Sequence, residues 1–514
     1  MAEQSAFDVV IVGGGPGGYP AAFRAAQYGL RVALIEKERP GGVCLNWGCI
    51  PTKAMLRSAE VLATLQHSAD YGVLADNVRL DYPAVLKRKD AIVKTLTDGV
   101  SQLLKANGVT VYAGHGRFTS PNSLDVVGVG KSPLGAGGPL YNAPSDGSGQ
   151  PKASVAGKNI IIATGSMPAQ LPIPGAELPG VINSDGAFML QNVPKRIVII
   201  GGGAVGTEWA TIFSAFGSEV ILVELLPNLL PVEDEDMGRT LARSFQKRGI
   251  KVMTSSTVAK IEEGGRGKDA LPLKVTITDK DGKNEQTMDA DNVLIGVSRR
   301  PNTLGLNLEK TGVRADQRGY ITVDERMRTN VNNVFAIGDV VGKILLAHVA
   351  THQGLITAGV LAGHDENMDY KAVPAATFTH PEVASVGLSE AKARDAGHDV
   401  VIGKFPFAAL GRAQTFGDTD GLVKVVADRK YGEVLGVHII GPSASDLIPE
   451  GVLALQLEAT LEDIANTIHA HPTLGEGTME ASMVALGLPV HIGPSRRGSA
   501  GAAAQPVAAA ASAR

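Results

Sequence analysis

Cysteine is nearly absent: Cys44 and Cys49 are the only two in 514 residues. So few exclude a disulfide-stapled secreted scaffold, and two thiols this close together cannot staple a large fold. No apolar run is long enough to span a bilayer. The short stretch from Met1 to Ala6 ahead of the first strand-like run leaves no room for a signal or transit peptide, so a cytoplasmic location is expected. Basic charge is lacking too. Lys and Arg number 48 against 52 Asp and Glu, a net charge of −4, which is the reverse of the footprint of a protein that grips phosphate backbones. Nucleic acid and membrane surfaces are therefore set aside as main partners. Aromatics, at 4%, are also scarce.

The length exceeds what one core usually organises, so two to four domains are expected. The apolar run Phe7–Val12 leads into the glycines Gly13, Gly15 and Gly18, then an alanine-rich helical stretch, then Arg31–Ile35 ending on Glu36. The same order recurs: Arg196–Ile200, the glycines Gly201, Gly203 and Gly206, a helix, then Glu219–Val223 ending on Glu224. From first glycine to acid is 23 positions in both copies. One such glycine turn is weak evidence, but two at the same spacing, each after a buried-strand run, predict two Rossmann-type dinucleotide-binding domains in an α/β fold. The glycines let backbone approach a pyrophosphate at a helix N-terminus, and the acid takes ribose hydroxyls. Two further runs, Asn159–Gly165 and Asn333–Asp339, read as return strands ending in small polar turns that could line a cofactor. Residues 128–157, rich in Gly, Pro and Ser, read as a surface insertion with no function, and 491–514 as a disordered alanine-rich tail.

The segment Gly41–Lys53 holds both thiols just before a helical pattern that begins near Pro51. Five residues of regular helix rise about 7.5 Å, more than the roughly 4.4–6.8 Å between α-carbons that a disulfide tolerates. A bond between the two therefore needs a distorted backbone, which Gly48 can supply. A strained pair near a helix N-terminus suits a working disulfide. Two inert thiols remain an alternative, as does half a metal site, although no second cysteine pair or histidine cluster adjoins. Near the other end, His471 precedes Pro472, and Glu476 follows five residues later. A carboxylate that orients a histidine makes a general acid–base, and a satisfied surface histidine is the competing reading. His348, His352, His364 and His380 show no comparable constellation and read as structural or surface groups.

Together these residues resemble the pyridine nucleotide-disulfide oxidoreductase family from Phe7 to about Leu488, most closely its members that oxidise dihydrolipoamide. The resemblance implies a FAD-binding domain over 1–168, an NAD-binding domain over 169–295, a central segment over 296–367 completing the FAD site, and an α+β interface domain over 368–490. It implies that Cys44 exchanges with substrate, that Cys49 lies against the flavin as the charge-transfer thiolate, and that Lys53 sits near the flavin paired with Glu208. By the same resemblance Gly13, Gly15, Gly18, Glu36, Gly116, Thr164, Gly165, Asp339 and Ala347 bind FAD. Gly201, Gly203, Gly206, Glu208, Glu224 and Gly296 bind NAD, and His471 with Glu476 is the acid–base pair, reaching the thiols from the partner subunit of a homodimer. The implied macromolecular partners are lipoyl domains and the acyltransferase core of 2-oxoacid dehydrogenase complexes, or the lipoylated glycine-cleavage carrier.

NAD is favoured over NADP because no Lys or Arg stands between Leu225 and Gly238, and Glu233, Asp234, Glu235 and Asp236 would repel a 2′-phosphate. The same absence counts against the alternative of a glutathione-type reductase. Mercuric reductase would want a C-terminal cysteine pair, and soluble transhydrogenase would lack the redox disulfide. A nucleotide-sensing scaffold would need neither the two thiols nor His471 with Glu476.

Overall fold

The computed structural model describes residues 6–145, 150–265 and 271–493. The tail expected to be disordered lies, from 494 on, outside the described residues. The opening apolar run forms the strand Ala6–Val12, flanked in parallel by Val32–Glu36 and Pro151–Ile162, with Thr110–Ala113 beyond Val32–Glu36. Such a strand reads as an unbroken apolar run because both sheet faces are covered, and Val9, Val10 and Ile11 are wholly buried. Strand Pro151–Ile162 serves two pairings. Its second half also lies parallel to Val334–Ala336. Its first half pairs antiparallel with Ser123–Val127, which pairs in turn with His115–Ser120.

The second glycine repeat builds another parallel sheet in the order Lys251–Met253, Glu219–Val223, Arg196–Ile200, Asn292–Ile295, Val181–Asn183. A separate antiparallel trio, Ser256–Glu263, Leu273–Asp279 and Gln286–Ala290, accompanies it. The C-terminal region is an antiparallel sheet ordered Ala375–Thr377, Glu382–Gly387, Val434–Gly441, Leu422–Asp428, Val400–Pro406, packed against the helices Ala444–Gln456 and Glu476–Ala485.

The reading of 128–157 as a surface insertion is corrected. Strand begins at Pro151, and Tyr141 and Ala143 are buried at 7% and 2% exposure. The alternation of outward Lys152 and inward Val155 was hidden by the Gly- and Ser-rich run before it.

A buried ion cluster joins the second and third regions. Lys424, whose side chain is 3% exposed, places Nζ 2.8 Å from Asp234, 2.7 Å from Asp236 and 3.0 Å from Glu390. Burial opposes ionisation of Asp236, yet Lys404 and Lys424 hold its carboxyl down at about 2. Asp234, likewise opposed by burial, is also held low by Lys424. Depressed carboxyls stabilise a fold above the ordinary carboxylate range, and that stability is lost as pH falls through the folded value. Lys424→Met would strand Asp234 as an unpaired buried charge, at a cost of about 3–5 kcal/mol. The melting transition should therefore fall markedly at pH 7 and the difference from wild type should narrow as pH drops toward 2. An unchanged transition at pH 7 would remove the cluster from the stability of the fold.

Candidate functional site: a thiol pair at the end of a dinucleotide cavity

The two glycine turns do the same work in the same way. Gly13 and Gly201 adopt φ values of +105° and +107°, which favour glycine. A Cβ on Gly18 would stand 1.8 Å from the Gly13 carbonyl oxygen, and one on Gly206 1.9 Å from that of Gly201. Any larger residue would push each helix off its strand. The acids that end the paired strands close the turns: Glu36 Oε2 accepts from Gly14 N at 2.6 Å, and Glu224 Oε2 from Gly202 N, also at 2.6 Å. Their second oxygens accept from Glu38 N and Leu226 N, each at 2.8 Å. Burial pushes the Glu36 carboxyl up despite these bonds. The helices Gly18–Gln27 and Ala204–Ala215 start directly after the turns, so backbone N–H groups are aimed where a phosphate would sit.

A cavity of about 660 Å³ runs from the first turn to the thiols. Its walls include Gly13, Gly15, Glu36, Gly116, Thr164, Gly165, Asp339 and Ala347, with Cys44, Cys49, Lys53 and Glu208. Gly18 lies behind the turn, packed on Gly13. The ends of the strands Pro151–Ile162 and Val334–Ala336 thus converge on the cavity, as their sequence suggests. Asp339 accepts from Ser166 Oγ at 2.5 Å, and Arg299 donates to the same hydroxyl at 2.6 Å. Thr164 Oγ1 and Asn46 Oδ1 are buried without hydrogen-bond partners among the described residues. An elongated cavity with a glycine cradle at one end and an unspent buried hydroxyl along its wall fits a flavin dinucleotide.

The thiols hang on a broken helix. Gly42–Trp47 and Cys49–Gln66 are separate helices, interrupted at Gly48 with φ −139° and ψ −108°. The second helix begins at Cys49, two residues before Pro51. The two cysteines are unbridged, and each acts on the proton of the other. Their one shared proton separates them. The hydrogen bond from Cys44 draws the Cys49 thiol down to about 7 against burial, with Lys53 assisting. The same bond and burial push Cys44 up. Cys44→Ala should therefore shift the pH midpoint of iodoacetamide labelling at Cys49, mapped by mass spectrometry in the reduced protein, upward toward that of an ordinary thiol. An unmoved midpoint would assign the low value to something other than the Cys44 hydrogen bond.

Lys53 Nζ lies 2.8 and 3.0 Å from the two Glu208 oxygens and 4.4 Å over the Phe378 ring. Glu208, which also accepts from Phe378 N at 2.9 Å, sits with Lys53 in the wall of the first cavity, where it is joined by Ala204 and Val205 from the start of its own helix. It bridges the two glycine-motif regions and the C-terminal one. Gly201, Gly203, Gly206, Glu224 and Gly296 gather around the second turn, a Cβ on Gly296 standing 3.3 Å from Gly206. The acid run after Glu224 departs from its expected role. Asp234 is 3% exposed and is paired with Lys424, and Asp236 with Lys424 and Lys404, so these two carboxylates are already engaged. Rejection of a 2′-phosphate falls to Glu224.

His471 Nδ1 lies 2.8 Å from Glu476 Oε1, and Thr473 N donates to Glu476 Oε2 at 2.7 Å. Burial works against the Glu476 carboxylate, but Thr473 and His471 hold its pKa low. His469 is spent at both nitrogens, on Thr467 O and Glu450. His471 keeps a 74% exposed side chain and does not line the cavity of its own chain's thiols.

Sequence reasoning missed Tyr141, Arg299, Asn302, Phe378 and His348, all in the cavity wall. His348 is exposed, as expected, at the rim of this cavity, with its Nε2 2.8 Å from Pro374 O. A lone tyrosine within a Gly-, Pro- and Ser-rich stretch of an aromatic-poor chain was the available signal.

Residues 7–354 match the family model described as pyridine nucleotide-disulphide oxidoreductase, and residues 373–482 match its dimerisation domain. The dihydrolipoyl dehydrogenase of Bacillus subtilis is 43% identical over 94% of this chain and 97% of its own. That of Chlamydia muridarum is 41% identical over 96% and 100%, and the mitochondrial enzyme of Pisum sativum 40% over 94% and 92%. The solved HOCl-induced flavoprotein disulfide reductase RclA from Escherichia coli superposes with a TM-score of 0.77 at 27% identity, over 92% of this chain and 98% of that one. The paired thiols, the two glycine cradles and these full-length likenesses lead to one statement: this chain belongs to the pyridine nucleotide-disulphide oxidoreductase family.

Proposed function

We propose that this protein is a dihydrolipoyl dehydrogenase, an NAD-dependent flavoprotein that oxidises dihydrolipoamide through Cys44 and Cys49. The observation that carries the reading is the hydrogen-bonded thiol pair at the end of a dinucleotide cavity, with Lys53 and Glu208 beside Cys49. In the oxidised protein, a substrate thiolate attacks Cys44 Sγ, forming a mixed disulfide and releasing Cys49 as thiolate. The second substrate thiol then attacks its own sulfur in that mixed disulfide, closing the cyclic disulfide product and freeing Cys44. The Lys53 cation stabilises Cys49 as it leaves, and once the product has departed a protonated Cys44 donates to the Cys49 thiolate. When bound, FAD supplies the acceptor for the electron pair and the donor of hydride to NAD. Glu36 and Asp339 hold the flavin dinucleotide, and Glu224 holds the NAD ribose.

His471 takes the substrate's thiol proton, with Glu476 fixing its ring. Because His471 does not line its own chain's cavity, it acts in the site of a second copy. The matched dimerisation domain supports this, as does exposed apolar surface near the histidine: Ile468 is 97% exposed, Leu488 67% and Val490 62%. We assign as partners the lipoyl groups of 2-oxoacid dehydrogenase complexes or of a glycine-cleavage carrier. A cytoplasmic location fits a chain whose only two cysteines form the redox pair. Among the described residues no helix is long and apolar enough to cross a membrane.

The deciding experiment is a steady-state assay with dihydrolipoamide and NAD, run beside glutathione disulfide with NADPH or NADH. Fast NAD reduction by dihydrolipoamide is the expected result. Glutathione turnover with none by dihydrolipoamide would move the substrate elsewhere in the family.

A further inference from the structure

Residues 128–145 leave the strand Ser123–Val127, double back on themselves and return, pinned at the base by Gly130 N donating to Pro144 O at 2.8 Å. The outgoing turn of this arm is exposed from Pro133 to Gly137, and its returning limb, from Gly138 to Ala143, is inserted into the protein. Leu140 N and Tyr141 N donate to Glu38 Oε2 at 3.0 and 3.1 Å, and Ala143 O accepts from Lys37 Nζ at 3.2 Å. Tyr141 O accepts from Asn302 Nδ2 at 2.9 Å, and the Tyr141 hydroxyl donates to Asp185 Oδ2 at 2.7 Å. Glu38 Oε1 meanwhile accepts from Trp47 Nε1 at 2.8 Å, at the end of the helix that carries Cys44. A single aromatic residue, 7% exposed, is thus held at its backbone by Glu38 and Asn302 and at its side chain by Asp185. Tyr141, Lys37, Trp47 and Asn302 all face the dinucleotide cavity. Asp185 is 1% exposed, and its second oxygen has no partner among the described residues. A buried carboxylate aligned in this way gives the tyrosine ring a fixed direction.

We propose that Tyr141 is a FAD-binding residue and that the arm 128–145 is a clasp on the dinucleotide cavity. An irregular loop packed only for stability would bury apolar groups away from the cavity. Here the one aromatic of the arm is instead placed in the cavity wall and oriented at its hydroxyl, its carbonyl and its amide. The clasp also fixes Glu38, whose other oxygen accepts from Trp47, and so bears on the segment past Glu36 directly and on the Cys44 helix through that carboxylate. Bound FAD should therefore leave only when the arm opens, so the effect belongs in the dissociation rate.

The inference rests on FAD binding and is independent of the substrate. The test follows release of FAD from the holoenzyme as the rise in free-flavin fluorescence, for wild type, Tyr141→Ala, Tyr141→Phe and an arm in which residues 131–149 are replaced by a short Gly-Ser linker. Tyr141→Ala and the shortened arm should release FAD at least about tenfold faster, and Tyr141→Phe, which keeps the ring and loses the bond to Asp185, by a smaller factor. Far-UV circular dichroism and gel filtration check that each variant is folded. If the shortened arm does not fold, the Phe and Ala variants still decide the matter. Release at the wild-type rate from folded Tyr141→Ala would overturn the proposal and leave the arm as packing. Absent dihydrolipoamide turnover in a wild type that holds FAD would overturn the substrate assignment and not this one.

Discussion

In Cys44→Ser, dihydrolipoamide-dependent NAD reduction should fall to background while FAD remains bound. The hydroxyl cannot form a mixed disulfide with the substrate, so the route for electrons into the cavity is closed. Nothing in the cradle built from Gly13, Gly18 and Glu36 depends on that sulfur. The measurement is steady-state turnover beside the flavin absorbance of the same preparation. Near-normal turnover would remove Cys44 from the mechanism. Turnover and flavin lost together would show instead that the broken helix at Gly48, and not the chemistry, had been disturbed.

For His471→Gln we expect a loss of about 10²–10⁴ in dihydrolipoamide oxidation, the range for removal of a positioned acid–base. Gln keeps a polar group next to Glu476 but cannot carry a proton between substrate and solvent. A loss under tenfold would shift the role elsewhere, and His469, bound at both nitrogens, is poorly placed to assume it. The assignment of His471 to the neighbouring copy's site can be read separately. Subunits carrying Cys44→Ser and subunits carrying His471→Gln are each nearly inactive, yet a mixed dimer would contain one site with both defects and one with neither. Random reassociation should restore about a quarter of wild-type activity if each histidine serves the other subunit. Mixtures no more active than their parents would place each histidine in its own chain's site.

Much of this was legible before any coordinates. The two strand–glycine–helix repeats could be read because local chemistry imposes them: a buried parallel strand needs an apolar run, a turn against a pyrophosphate needs glycine at Gly13 and Gly201, and the closing acid must stand one strand away. The redox pair was legible for a similar reason, since the break needed at Gly48 follows from helix geometry over five residues. His471 with Glu476 is again a contact within one short stretch of chain.

What could not be read are contacts between distant stretches. Tyr141 meets Asp185, Asn302 and Glu38 only because the sheet brings these segments together, and a stretch of Gly, Pro and Ser carries no periodicity to announce it. The pairing of Glu208 with Lys53 was reached only through the resemblance, and Phe378, whose N–H also donates to Glu208, was not read at all. The acid run after Glu224 shows the converse case: sequence reasoning saw free negative charge, and the fold paired Asp234 and Asp236 with Lys424, 190 residues from Asp234. The sequence by itself determined the two dinucleotide cradles, the thiol pair and the histidine–carboxylate pair, because each is a local pattern with a local physical cause. Only the tertiary structure decided which of these share a cavity, which charges remain unpaired and which loop covers the site, because those depend on long-range packing that spacing along the chain does not encode.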